Sequence, residues 1–113
     1  MAQYEHLPIY RQTYSLLLEA HNLLSICPKK FKFSLCNNVV DDLTCSLLLI
    51  IKINSKKEKS ELLFDLILLF EKIKIQIRLL KSLDIISKKL YFKFSEEIVE
   101  LLKQSEGWKK KYK

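Results

Sequence analysis

Glycine occurs once in this chain of 113 residues, at Gly107, and proline only twice, at Pro8 and Pro28. A sheet of several strands needs tight reversals. Those reversals call for glycine, proline or Asn-Gly pairs, which are missing here. Yet 49% of the residues are hydrophobic, enough for one buried core in a single domain over residues 1–113. The two features together predict an all-α protein whose helices are joined by short polar loops.

Hydrophobic periodicity places four helices along the chain. The first spans about 8–26, with Pro8 in its first turn, where a missing N–H costs nothing. Tyr10, Tyr14, Leu17, Leu18, His21 and Leu24 recur along it at three- and four-residue steps. It ends before Cys27-Pro28, because the residue ahead of a proline resists helical geometry. The loop Lys29-Lys30-Phe31-Lys32-Phe33 follows. A second helix is expected over about 34–53, capped by Ser34, with Leu35, Val39, Leu43, Leu47 and Ile50 on one stripe.

Ser55-Lys56-Lys57-Glu58 reads as a capping box opening a third helix over about 57–83. Its seam is Leu62, Leu66, Leu69, Ile73, Ile77 and Leu80. The fourth helix spans about 88–106, capped by Ser87 or Ser95, with Tyr91, Phe94, Ile98, Leu101 and Leu102 facing inward. Gly107 is the expected end of that helix, and a basic tail fills 108–113. Four helices with short connections predict an antiparallel up-and-down bundle.

Two of these helices carry more apolar surface than one bundle covers. Leu47 to Ile51 is hydrophobic on every side, and Leu63, Ile67, Phe70 and Ile75 form a second face on the third helix. This surplus predicts a homo-oligomer. Leu48, Leu49, Ile51, Leu63, Ile67 and Phe70 are the candidate interface residues.

The net charge is +7 and sits mostly in the second half. Residues 1–55 carry five basic and four acidic groups, whereas residues 56–113 carry fifteen and nine. Lys74, Arg78 and Lys81 stack along one helix face, a like-charge arrangement that an anionic ligand would relieve. Lys52, Lys56, Lys57 and Lys59 cluster at the corner between the second and third helices, and lysines also fill the tail. A solvated face accounts for such charge as well as phosphate binding does. These seven named residues are the candidate nucleic-acid-binding set.

Polar constellations for catalysis are absent from the sequence. His6 and His21 stand apart without acidic or cysteine neighbours, and no HExxH or nucleophile-elbow pattern occurs. One glycine cannot build a phosphate-cradling loop. Asp41 and Asp42 are adjacent on a helix and diverge by about 100°. No catalytic residue, metal site or cofactor is therefore expected.

Cys27, Cys36 and Cys45 form no CxxC pair, and their odd number suits reduced thiols in a cytoplasmic protein. The first residues lack the pattern of a signal peptide. The greasiest run, Leu43 to Ile51, is about half of the ~20 residues that span a bilayer. A soluble protein without a membrane role is expected.

Three segments in this order carry a family resemblance: Tyr4-Glu5-His6-Leu7-Pro8-Ile9-Tyr10, Asn54-Ser55-Lys56-Lys57-Glu58-Lys59 and Ser105-Glu106-Gly107-Trp108. Together they resemble the accessory variability determinant proteins of diversity-generating retroelements. Those belong to a wider four-helix-bundle group that includes proteins encoded in 23S ribosomal RNA intervening sequences. The resemblance implies a bundle assembling into a five-fold ring with a basic surface. It also implies partners, a reverse transcriptase and its template RNA or cDNA, and a non-catalytic role in mutagenic copying. The alternative within the wider group is a structural bundle with no mutagenic role. One departure stands out. The family carries basic residues along its second helix, whereas Asn37 to Cys45 has none and includes Asp41 and Asp42.

Overall fold

The computed structural model describes residues 4–112. A turn of 3-10 helix, Tyr4–His6, leads into α1, Pro8–Ile26, with proline in its first turn. A short helical turn Lys29–Phe31 and a wide turn Lys32–Cys36 then bring the chain to α2, Asn37–Ser55. Helix α3 spans Ser60–Ser82 and α4 spans Lys88–Lys111. Among the described residues there are four long helices and no strand.

Each helix packs against its two neighbours in the order α1, α2, α3, α4 and back to α1, and the backbones of the diagonal pairs stay apart. The result is a bundle 43 Å long. Its core is filled by Leu16, Leu23, Leu43, Ile50, Leu63, Phe70, Ile73, Ile77, Phe94, Ile98 and Leu101, which are almost wholly buried. Buried hydroxyls inside it are satisfied within their own helices. Thr13 donates to the Ile9 carbonyl at 2.7 Å and Ser105 to that of Leu101 at 2.8 Å. Lys29–Ser55 is long and apolar enough to cross a membrane by length and composition. In the fold its Val39, Val40, Leu43, Ile50 and Ile53 line the bundle core, and Leu47 is buried beside them.

The chain reverses without glycine. After α3, Asp84 takes a left-handed conformation, φ 59°, and the Ile85 N–H donates to the Leu80 carbonyl at 2.8 Å. The Asp84 N–H donates to Lys81, completing the two-bond motif that usually ends on glycine. Aspartate tolerates this region better than most side chains. Ile85 and Leu80, both buried, close the turn hydrophobically. Ser87 then caps α4, accepting from the Leu90 N–H at 3.1 Å, so the choice between Ser87 and Ser95 falls on the former.

Three expected helix ends move. Ser34 lies inside the wide turn, and α2 begins at Asn37. Ser55 is the last residue of α2, its hydroxyl donating to the Lys52 carbonyl at 2.9 Å, so no capping box forms. Helix α4 runs through Gly107 to Lys111. Half-buried Trp108 packs against the core and holds the helix past a glycine whose intrinsic cost is about 1 kcal/mol.

The cysteines depart most from expectation. Cys27 and Cys36 are joined by a disulfide across the α1–α2 connector, Cα to Cα 6.7 Å, and Cys45 is the exposed free thiol. The reversal through Lys29–Phe31 brings together two side chains that no single helix would. Alkylation of the unreduced protein should therefore modify one thiol, and alkylation after reduction three. Closing so short a loop contributes about 2–3 kcal/mol through the unfolded chain. Reductant should lower the urea midpoint accordingly, and labelling of all three thiols before reduction would contradict the bridge.

Candidate nucleic-acid interface

At one end of the bundle the three segments that carry the family resemblance meet. Leu7, Pro8, Asn54, Lys59, Gly107 and Trp108 line one cavity of about 510 Å³, with Gln104, Lys111 and Tyr112 beside them. Antiparallel packing causes this: the start of α1, the α2–α3 corner and the end of α4 all lie at that end. Lys59 ties it together. It is only 9% exposed, and its ammonium donates to the carbonyls of Ile53, at 2.9 Å, and Lys56. The ammonium also sits 5.2 Å from the centroid of the Tyr112 ring. Ser60 donates to the Tyr112 carbonyl at 3.1 Å, fastening α3 to the end of α4.

The seven candidate cations fall into three situations. Lys59 caps the end of α2 and faces its own carbonyls. Lys52, Lys56 and Lys57 are exposed around the same corner. Lys74, Arg78 and Lys81 lie along α3 toward α4. Lys74 shares a shallow groove of about 450 Å³ with Lys103 and Lys110 of α4, although Glu71 and Glu106 line it too. Lys81 is half-buried, its ammonium 5.3 Å from the Tyr91 ring. The exposed lysines thus form a corner and a strip, not one patch.

At the opposite end lies a cluster that no candidate residue named from the sequence covers. Lys30 stands 5.3 Å from the Phe31 ring and Lys32 6.0 Å from the Phe33 ring. Lys88 stands 5.8 Å from the Phe92 ring. Its sequence signal is the alternation Lys29-Lys30-Phe31-Lys32-Phe33 in the loop after the first helix.

A family model described as bAvd-like matches residues 7–112. The chain belongs to the bAvd-like family. No curated protein and no solved structure matches it. The match begins at Leu7, so Tyr4, Glu5 and His6 of the first resembling segment lie ahead of it.

Seen as a bAvd-like bundle, the protein distributes its apolar surplus differently from the sequence expectation. Leu63 and Phe70 are fully buried and Ile67 nearly so, inside their own subunit, which corrects their assignment to an interface. Leu49 and Ile51 are half-buried. Leu48 alone of the six is largely exposed, at 63%. The outward stripe of α3 is instead Phe64, Leu68, Ile75 and Leu79. A second exposed apolar set, Tyr14 and Leu18 of α1 with Leu48 of α2, occupies the α1–α2 side.

The acidic residues of α2 in this bAvd-like chain are already engaged. Asp42 accepts from Gln76 at 3.0 Å and pairs with Lys72 at 3.3 Å, both across to α3, while Asp41 accepts from Asn37 at 3.1 Å. Among the described residues, no group of His, Cys, Asp and Glu could hold a metal ion.

One carboxyl is strongly perturbed. Half-buried Glu97 of α4 is pushed up to about 7 by burial, then by its hydrogen bond to Glu19 of α1 and by the charge of that group, against the pull of Lys93. Lys93 itself pairs with Glu19 at 3.4 Å. A raised carboxyl binds its proton more tightly in the fold than in the unfolded chain. Its contribution is complete below the ordinary value of 4.5 and is lost as pH climbs to about 7. Screening in a partly open groove reduces this to about 1 kcal/mol. Glu97→Gln should therefore flatten the loss of stability between about pH 5 and 8, read as urea midpoints at each pH. An unchanged pH profile would show that Glu97 ionises normally.

Proposed function

We propose that this protein is a non-catalytic accessory factor of a diversity-generating retroelement, binding the reverse transcriptase and its template RNA or cDNA during mutagenic copying. Membership of the bAvd-like family over residues 7–112 carries this reading. The basic strip on α3 and the lysine corner support it as phosphate-facing surfaces, because multiple lysine contacts release counterions from a nucleic acid. Of the aspartates of α2, Asp42 is paired with Lys72 and offers little repulsion to such a ligand, whereas exposed Asp41, bonded only to the neutral Asn37 amide, keeps its charge.

Assembly belongs to the same proposal. Because α1 and α3 are diagonal in the bundle, the α1–α2 apolar set and the outer stripe of α3 face opposite ways. Two different patches on opposite sides make a head-to-tail contact, which closes into a ring when the rotation from copy to copy closes and runs on as a filament when it does not. Five copies is the number the family resemblance implies. A ring repeats each modest phosphate contact and raises avidity.

The test is a titration of the purified protein against labelled structured RNA, single-stranded DNA and duplex at several salt concentrations, with its mass read by light scattering. Binding at micromolar concentrations that weakens steeply with salt is expected. Replacing Lys74, Arg78 and Lys81 with alanine should reduce the salt slope by about 2, at roughly 0.7 per phosphate contact on single strands. Absence of binding at low salt would remove the nucleic-acid role, and a mass equal to that of the 13.4 kDa chain would remove the ring.

A further inference from the structure

We propose that the connector end of the bundle, built from Lys29–Phe33 and the start of α4, docks single-stranded nucleic acid, with Phe33 as the platform on which an unpaired base stacks. The inference rests on the accessory role above and assigns it a surface on different residues.

Charge is the first observation. The antiparallel order brings the α1–α2 and α3–α4 connectors to one end, and the Lys32–Cys36 turn packs against α3. That end gathers Lys29, Lys30, Lys32, Lys88 and Lys89, and the only acidic residue in the segments 27–36 and 83–89 is Asp84. A chain of phosphates is the complementary partner.

Aromatic exposure is the second, and it is independent of charge. Phe33 is 80% exposed, more than any other large hydrophobic residue among those described, and Phe92 is also exposed. A phenylalanine ring so placed gains nothing from its own fold. Lysines stand against the rings of Phe31, Phe33 and Phe92. Rings set among cations suit a strand that offers flat bases and phosphates alternately. A duplex hides the faces of its bases and would leave Phe33 without a partner. An anionic membrane would reward a continuous apolar face, whereas these rings stand singly among lysines.

The third observation concerns rigidity. The Cys27–Cys36 bridge closes the loop that carries three of the lysines and Phe33. A loop already fixed loses less freedom on binding than an open one.

Fluorescence anisotropy of the full-length protein, with a single strand of about 15 nucleotides and with the matching duplex, tests the site. The exposed ring makes Phe33→Ala harmless to folding, which circular dichroism checks. The single strand should bind more tightly than the duplex. Phe33→Ala should weaken single-strand binding on the order of tenfold with an unchanged salt slope, and Phe33→Trp should preserve it. Exchanging Lys29, Lys30 and Lys32 for glutamine should lower the slope by about 2.

Equal affinity of Phe33→Ala and the wild type overturns the proposal, as does equal binding of duplex and single strand. Cosedimentation with phosphatidylserine vesicles in the absence of oligonucleotide binding also overturns it, in favour of a membrane. If only the Lys74, Arg78 and Lys81 replacements weaken strand binding, this site falls and the accessory role survives. If no strand binds, this site falls together with the nucleic-acid half of the accessory role, and the protein-partner half is left standing.

Discussion

Replacing Phe70 by alanine is expected to cost the fold about 3–5 kcal/mol, the range for truncating a fully buried phenylalanine. Phe70 lies on α3 inside the four-helix core, so the loss is a cavity that neighbouring side chains cannot fill. The drop in urea midpoint from wild type to variant should be the same at every protein concentration. Had Phe70 belonged to a subunit contact, dilution of the wild type would mimic the mutation and the folded monomer would survive it. Ile75→Ala, on the exposed outer stripe of the same helix, is the control and should barely change monomer stability. A mild effect at Phe70 with a large one at Ile75 would mean that α3 is rotated from the orientation described.

Lys59→Ala should be the second most damaging change, at about 2–3 kcal/mol. Hydrogen bonds to charged groups contribute about 1.5–3 kcal/mol each, and this ammonium serves two carbonyls beside the end of α2. Their energies do not add fully, because the carbonyls can recruit water once the lysine is gone. Lys59→Met keeps the packed stem and should lose less. Thermal or urea unfolding reads the stability. The salt slope of RNA binding, measured on folded Lys59→Met, separates the capping role from a phosphate contact. That slope should match the wild type, whereas Lys56→Ala with Lys57→Ala should reduce it. A reduced slope for Lys59→Met would return Lys59 to the anion surface.

These two residues also mark where sequence reasoning stops. On α3 the apolar residues cover most of the circumference: Leu63, Leu66, Phe70 and Ile77 face inward, while Phe64, Leu68, Ile75 and Leu79 face outward. Periodicity announces the helix but cannot choose its rotation when two stripes are equally greasy. The α2–α3 corner shows a similar ambiguity. Lys56, Lys57 and Lys59 look alike in a string of lysines, yet only Lys59 has carbonyls and a ring within reach. The family segments were readable as an ordered set. Their meeting around one cavity was not, since more than forty residues separate each from the next.

What the sequence by itself determined is the class and the count: scarce glycine and proline, and apolar residues at three- and four-residue steps, are local properties that act on a helix whatever surrounds it. The start at Pro8 and the halt before Cys27-Pro28 are local in the same sense, being set by one ring and its neighbour. Tertiary structure decided which stripe of α3 is core, that α4 continues past Gly107, and that Cys27 finds Cys36. It also decided that an aspartate, Asp84, serves where a glycine would be expected. Each of these outcomes depends on groups that are remote along the chain or on packing that offsets a local cost. Trp108 against the core outweighs one helical glycine, and Ile85 against Leu80 holds a left-handed aspartate.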